Sequence, residues 1–340
     1  MLANIHRKVN KLLGFDKRFW KDRPNGVYSF NYHRIGDKES TSFDPNVFSC
    51  TEEMFEKHIS FFQTNFDVVT TNELNELIKM NKSNKGKYAF LTFDDGYIDN
   101  YTIAYPILKQ ANCPATMFIA TDFIDKPILP WWDEAAWLIK NNDDSIFLGL
   151  DWDLPSNIST LSVQNKVKHL LRSIKDNKTL SIEEKFTLLR NQATEHYKAI
   201  NNSETLFMTW DMLREMSKNN IDIGSQTCSH QILSHLSEAE QHYEINHSKE
   251  RIEKEIRKDV KAFAYPVGGV EAFTKITQKM VKDAGYEFAL SFVPNINLEP
   301  NNNLFGMNRF SIDSECSTQD IQSTISLATQ KLMQLNKINF

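Results

Sequence analysis

The chain has 340 residues and a mass of 39.5 kDa, with 41% hydrophobic and 24% charged residues and a formal net charge of −5. These proportions belong to an ordinary globular protein and exclude disordered, collagen-like and disulfide-stapled classes. No run reaches the roughly 18 to 20 apolar residues of a bilayer-spanning helix; no signal-peptide pattern opens the chain, and Cys50, Cys113, Cys228 and Cys316 form no CxxC pair, so a reducing, cytoplasmic setting is expected.

Charge is unevenly placed. Within residues 1–23, seven Lys or Arg (Arg7, Lys8, Lys11, Lys17, Arg18, Lys21, Arg23) face only Asp16 and Asp22 on an otherwise acidic chain. Ile5, Val9, Leu12 and Leu13 recur there at helical spacing. Residues 1–25 thus read as a basic amphipathic segment, either resting peripherally on the inner face of a membrane or docked as a terminal helix. The acidic remainder offers no phosphate-tracking groove, so no nucleic-acid partner is expected.

From there to about residue 335 short β-rich runs alternate with helical patterns, the signature of parallel strands joined by helical crossovers. Strands are expected at Val27–Tyr32, Asp67–Thr70, Tyr88–Phe93, Ala115–Ala120, Ile221–Gly224, Val260–Tyr265, Phe288–Phe292 and Phe305–Ile312. Helices are expected at Glu52–Asn65, Asp99–Gln110, Trp210–Lys218, Glu238–Arg257 and Glu271–Ala284. About eight strands suggest a barrel. One stretch, about 125–208, is too long for a plain connection and reads as a helical insertion, with helical patterns at Val163–Ile174 and Ile182–Ile200. Its apolar content looks too thin to close a core alone.

Polar residues gather past the strand exits: His33 and Arg34, Asp94 and Asp95, Gln226, Thr227 and His230, Tyr265 and Pro266, and Arg309 within the last strand. In parallel barrels that rim carries the active site. The run Leu91-Thr92-Phe93-Asp94-Asp95-Gly96 carries a buried-looking strand into adjacent carboxylates, one able to bind a cation and the other to accept a proton. Asp-Asp-Gly is also a turn sequence, and Asp99 could cap the next helix.

The runs LTFDDGYIDN, IDIGSQTCSHQILSHLS and AFAYPVGG, in that order, resemble the first three motifs of the polysaccharide deacetylases, the NodB-homology or family 4 carbohydrate esterases. FNYHRI, PWWDEAAW and MNRFSI extend the resemblance over most of the chain. It implies an α/β fold, a distorted (β/α) TIM-like barrel of seven or eight strands. It also implies one divalent cation and removal of an N-acetyl or related acyl group from an amino sugar, in surface polysaccharide or glycolipid biosynthesis. The substrate would be an acylated amino-sugar glycan or a lipid-linked sugar. By motif match Asp94 is the general base, Asp95 and His230 are metal ligands, and the Val267 backbone N–H lines an oxyanion hole.

The sequence departs from the family pattern at three places. Gln226 stands where the first metal-binding histidine would be; its amide oxygen could still ligate, so zinc is the first expectation and other divalent ions stay open. His235 could substitute as a third ligand only if its loop is irregular. The motif-three arginine that holds the catalytic aspartate is replaced by Ala264, and Arg309 is the candidate to take its place. No histidine follows His247 to act as general acid, which leaves His33, or Asp94 serving as both base and acid. The alternative function is a catalytically impaired carbohydrate-binding or assembly protein on the same fold. A metal-free glycoside hydrolase fits poorly, because its paired acids stand apart, whereas Asp94 and Asp95 are contiguous. His6, His58, His169, His196, His242 and His247 read as solvated, Trp131, Trp132 and Trp137 as buried aromatics or sugar-stacking rings, and Cys228 as structural.

Overall fold

Gly26–Tyr32 is buried at all seven positions, as a strand covered on both faces must be. It is β1 of an eight-stranded parallel sheet in the computed structural model, which describes residues 15–126, 128–150, 152–176, 179–195, 206–313 and 316–338. Ile5, Val9, Leu12 and Leu13 of the basic segment lie outside the described residues, as do His6 and His196 and the end of the expected helix Ile182–Ile200. The other strands are β2 (Asp67–Val68), β3 (Lys87–Phe93), β4 (Ala115–Ile119), β5 (Ile221–Ser225), β6 (Ala262–Ala264), β7 (Phe288–Leu290) and β8 (Phe310–Ser311). Their order is β8-β1-β3-β4-β5-β6-β7, with β2 pairing the first half of β3.

The sheet curls until its ends nearly meet. Met307 makes a parallel bridge to Leu290 of β7, and three residues later β8 pairs with β1 in the register Phe30 to Phe310. Met307 N–H donates to Ala289 O at 2.9 Å and Ser291 N–H to Met307 O at 2.7 Å, so one residue bridges the seam. The strand expected at Phe305–Ile312 is shorter than the sequence suggested, because Pro300–Gly306 forms irregular 3-10 turns.

Alternation along the strands divides two apolar layers. Tyr28, Phe30, Tyr32, Leu91, Phe93, Met117, Ile119 and Ile223 pack outward under the helices. Val27, Phe90, Phe118, Ala262, Ala264, Phe288 and Leu290 form a second cluster. Gly224 belongs to this packing: a Cβ there would stand 2.4 Å from the Phe118 ring, so a larger residue would displace Phe118. Helix Glu52–Asn65 buries Phe55, His58, Ile59 and Phe62. His58 corrects the sequence reading: it is fully buried, its Nδ1 3.0 Å from Tyr32 Oη and its Nε2 2.8 Å from Cys316 O. Among the described residues no helix is long and apolar enough to cross a membrane.

The chain divides into two compact units, residues 1–36, 49–125 and 206–340 in one and 37–48 with 126–205 in the other. The second contains helices Trp131–Asn141, Val163–Asp176 and Ile182–Gln192, and buries Phe43, Trp132, Leu138, Ile139, Val167, Leu170, Ile174, Phe186 and Leu189. Arg190 there holds Glu134 through two bonds of 2.7 and 2.8 Å. The apolar content judged thin from sequence is supplemented by Phe43, carried by the detached stretch 37–48. Trp132 is buried, whereas Trp131 and Trp137 are half-buried.

Candidate active site

Strand β3 ends at Phe93 and delivers Asp94 and Asp95 to the barrel's C-terminal rim. Asp94 N–H still donates to Tyr32 O at 2.9 Å, keeping the first aspartate in register with β1. Asp95 then turns to φ 74° and Gly96 to φ 84°. The chain continues into a π-helical turn, Asn100–Ala104, before helix Tyr105–Gln110. Asp99 does not cap that turn with its side chain. Its carboxylate instead accepts from Ile35 N–H at 2.9 Å and from Arg34 Nε at 2.7 Å, bracing the β1 exit. Burial pushes the Asp99 carboxyl up, against the pull of Arg34.

Eight non-glycine residues among those described have positive φ. Asn81, Asn112, Asn220 and Arg257 are at turns and helix ends, where αL is ordinary for Asn. The other four are Asp95 (74°), Thr227 (72°), His230 (57°) and Val267 (61°). All four lie in the loops that carry the sequence-predicted site. Such conformations cost about 1–3 kcal/mol each and persist only where the surroundings impose them.

Asp94 and Arg309 form the centre. Arg309 Nη1 lies 2.7 Å from Asp94 Oδ1 and Nη2 3.0 Å from Oδ2, with both side chains essentially without solvent contact. The guanidinium is fixed in turn by Ser291 O at 2.9 Å, Asn31 Oδ1 at 2.9 Å and Thr92 Oγ1 at 3.2 Å. Gln226 joins the two acids: its Oε1 accepts from Asp95 N–H at 2.9 Å and its Nε2 donates to Asp94 Oδ2 at 3.3 Å.

His230 arrives from β5 through a loop gripped from behind. Glu244, buried in helix Glu238–Ile256, accepts from the N–H groups of Cys228 and Ser229 at 2.8 and 2.9 Å and from Ser229 Oγ at 2.6 Å. Thr227 Oγ1 accepts from His230 N–H at 3.0 Å. His230 Nε2 then stands 3.2 Å from Asp95 Oδ1. Burial works to raise the Asp95 carboxyl, but His230, with His33 and Arg309 beyond it, outweighs that and holds it below its ordinary range. One face of the imidazole rests on a stack of rings: Phe123 at 6.2 Å between centroids, then Phe207 at 4.8 Å, then Tyr97 at 5.0 Å.

The other predicted residues complete the rim. Val267 is the middle of a tight turn closed by Gly268 N–H to Pro266 O at 2.6 Å, and its own N–H meets no acceptor among the described residues. Phe292 donates its N–H to Gly268 O at 2.7 Å. Its ring lies 5.9 Å from both the His33 ring and the Arg309 guanidinium, linking the turn to the centre. His33 is half-buried, with its N–H on Ser49 Oγ and its carbonyl accepting from Asn100 Nδ2. His235 is exposed in the 3-10 turn Leu233–His235, unlike the buried Asp95 and His230. Cys228 is buried with its Sγ on Glu244 O at 3.6 Å.

Sequence reasoning missed Glu244, Asn31, Phe123 and Phe207. Glu244 was detectable, since it shares a helix face with Gln241, Ile245, Ser248 and Ile252.

No cluster of three His, Cys, Asp or Glu side chains suited to a metal occurs among the described residues. Asp95 and His230 nevertheless suit a divalent cation. Asp95 Oδ1 is buried with no hydrogen-bond donor aligned on it, and a carboxylate with an imidazole is an oxygen and nitrogen pair that divalent ions accept.

A family model of polysaccharide deacetylases matches residues 81–289. YxkH of Bacillus subtilis (strain 168) is 30% identical over 99 residues, 29% of this chain and 33% of that protein, so the chain spans about a third of this relative. The poly-beta-1,6-N-acetyl-D-glucosamine N-deacetylase of Staphylococcus epidermidis is 26% identical over 236 residues, covering 63% of this chain and 74% of that one. Among solved structures, the Streptococcus pyogenes deacetylase PplD in complex with acetate superposes with a TM-score of 0.59 at 18% identity, covering 89% of this chain and 99% of that chain, which shows a shared fold. The chain belongs to the polysaccharide deacetylase family.

Proposed function

We propose that the protein is a divalent-metal-dependent hydrolase that removes N-acetyl groups from a polymeric amino sugar, with poly-β-1,6-linked N-acetylglucosamine as the first substrate class to test. The observation that carries this reading is the convergence of Asp94 and Asp95 from the exit of β3 and His230 from the loop after β5, with Arg309, immediately before β8, paired to Asp94. The name of the staphylococcal relative supports the substrate class.

Asp95 and His230 would hold the cation, which when bound supplies Lewis acidity toward water and the acyl oxygen. Asp94 accepts the proton of the attacking water. A carboxylate has about four acceptor sites; Arg309 and Gln226 occupy three, leaving about one for that proton. The Val267 N–H, spared by its turn from any internal bond, donates to the developing oxyanion. His33 hands a proton to the departing amine.

The test is acetate release from β-1,6-linked N-acetylglucosamine oligomers, with and without added Zn2+, by the wild type, Asp94→Asn and His230→Ala. Activity in the wild type and its loss in both variants is expected. A folded wild type that releases no acetate with any divalent ion would place the chain among carbohydrate-binding or assembly proteins instead.

A further inference from the structure

Gln226 is fixed at both ends. Of the two ends of an amide, only the oxygen can accept from a backbone N–H and only the nitrogen can donate to a carboxylate, so the contacts to Asp95 N–H at 2.9 Å and Asp94 Oδ2 at 3.3 Å decide which way the amide faces. The residue is 2% exposed, leaving little solvent to replace either partner. Turning the amide oxygen toward an ion would leave the Asp95 N–H buried without an acceptor. It would also take the Nε2 donor from Asp94. Asp95 Oδ1 is in the opposite condition, buried, with no aligned donor, and 3.2 Å from His230 Nε2.

We infer that Gln226 is a positioning residue rather than a metal ligand: it ties the base Asp94 to the backbone of the ligand Asp95, and the cation rests on two protein side chains, Asp95 and His230, with solvent or substrate completing its shell. The presence of a cation is taken from the function proposed above. The consequence is a loosely held ion, exchangeable with the medium, in a site whose two aspartates keep a fixed spacing whether or not the ion is bound.

The experiment measures Zn2+ affinity of the full-length protein by competition with a chromophoric chelator, alongside the kinetics of acetate release. Asp95→Ala and His230→Ala are expected to weaken Zn2+ binding at least tenfold. Gln226→Ala is expected to stay within threefold of the wild type in affinity while kcat falls and KM holds. A loss of affinity in Gln226→Ala equal to that of His230→Ala would overturn the assignment. Should Gln226→Ala fail to fold, exchange of the Asp95 amide proton in the wild type decides. Protection retained on adding Zn2+ supports the tie, and faster exchange means the amide has swung to the ion and overturns it. A wild type that binds no Zn2+ overturns both this inference and the metal dependence proposed above. Absence of acetate release with Zn2+ binding intact sinks only the proposed activity.

Discussion

Arg309 closes both terminal nitrogens of its guanidinium on the two oxygens of Asp94, 215 positions away, at the seam where the sheet meets itself. Neither charge has solvent to fall back on. Removing one member of such a buried pair costs about 3–5 kcal/mol because the other is left uncompensated. Lysine cannot reproduce the two-pronged contact. Arg309→Lys is expected to lower the thermal midpoint and to cut kcat by about a hundredfold, since general-base effects are worth about 10²–10⁴-fold. Arg309→Met combined with Asp94→Asn is expected to regain stability over Arg309→Met alone while remaining inactive. Calorimetry and acetate release on the four proteins check both.

Glu244 holds three groups of the loop that carries His230 without itself reaching the site. Glu244→Gln keeps an acceptor but sets an amide hydrogen beside one of its partners, and leaving a buried donor unmet costs about 1–3 kcal/mol. The expected result is a protein destabilised by that order with several-fold weaker Zn2+ binding, because supporting hydrogen bonds orient ligand side chains. Unchanged affinity in the destabilised variant would show that the grip serves the fold alone.

Val267 holds φ 61° at the centre of its turn, an unusual state for a β-branched residue. The proposed donor is its backbone N–H, so its side chain is dispensable. Val267→Gly is expected to keep acetate release within a few-fold of the wild type and to melt no lower, because glycine adopts this conformation without strain. A hundredfold loss would show that the side chain, and not the N–H, does the work.

Burial pushes the His58 imidazole from 6.5 down to about 4, against a smaller opposing pull from the Cys316 carbonyl. Above pH 6.5 the ring is neutral in folded and unfolded chains alike. As the pH falls from 6.5 to about 4 only the unfolded chain gains the proton, so stability drops, by about 3 kcal/mol in all at 1.36 kcal/mol per unit. Below about 4 this contribution levels off. Urea melts across that window should show the slope in the wild type and a reduced one in His58→Gln.

Much of the barrel was legible because strands buried on both faces leave continuous apolar runs such as Tyr88–Phe93, and because Asp94, Asp95 and His230 sit in motifs at strand exits. His58 and Glu244 show where polarity misled: His58 was read as solvated and Glu244 was passed over, yet Phe55, His58, Ile59 and Phe62 form one helical face, as do Glu244, Ile245, Ser248 and Ile252. Counting the face rather than the residue would have found them. Gln226 was legible as a departure but its task was not, since the direction of an amide is set by partners 131 and 132 positions away. The pairing of Phe207 with Tyr97 has no local signature either, being made by chain that returns from an 80-residue excursion over 126–205.

That return has a consequence for shuffling parts among relatives. The chain leaves the barrel just after Phe123 and re-enters just before Phe207, and these two rings are stacked on each other and, through Phe123, on His230. A graft that exchanges the excursion must therefore keep both phenylalanines as its sockets. A chimera cut outside them would inherit the new loop but lose the aromatic pillar under its imidazole.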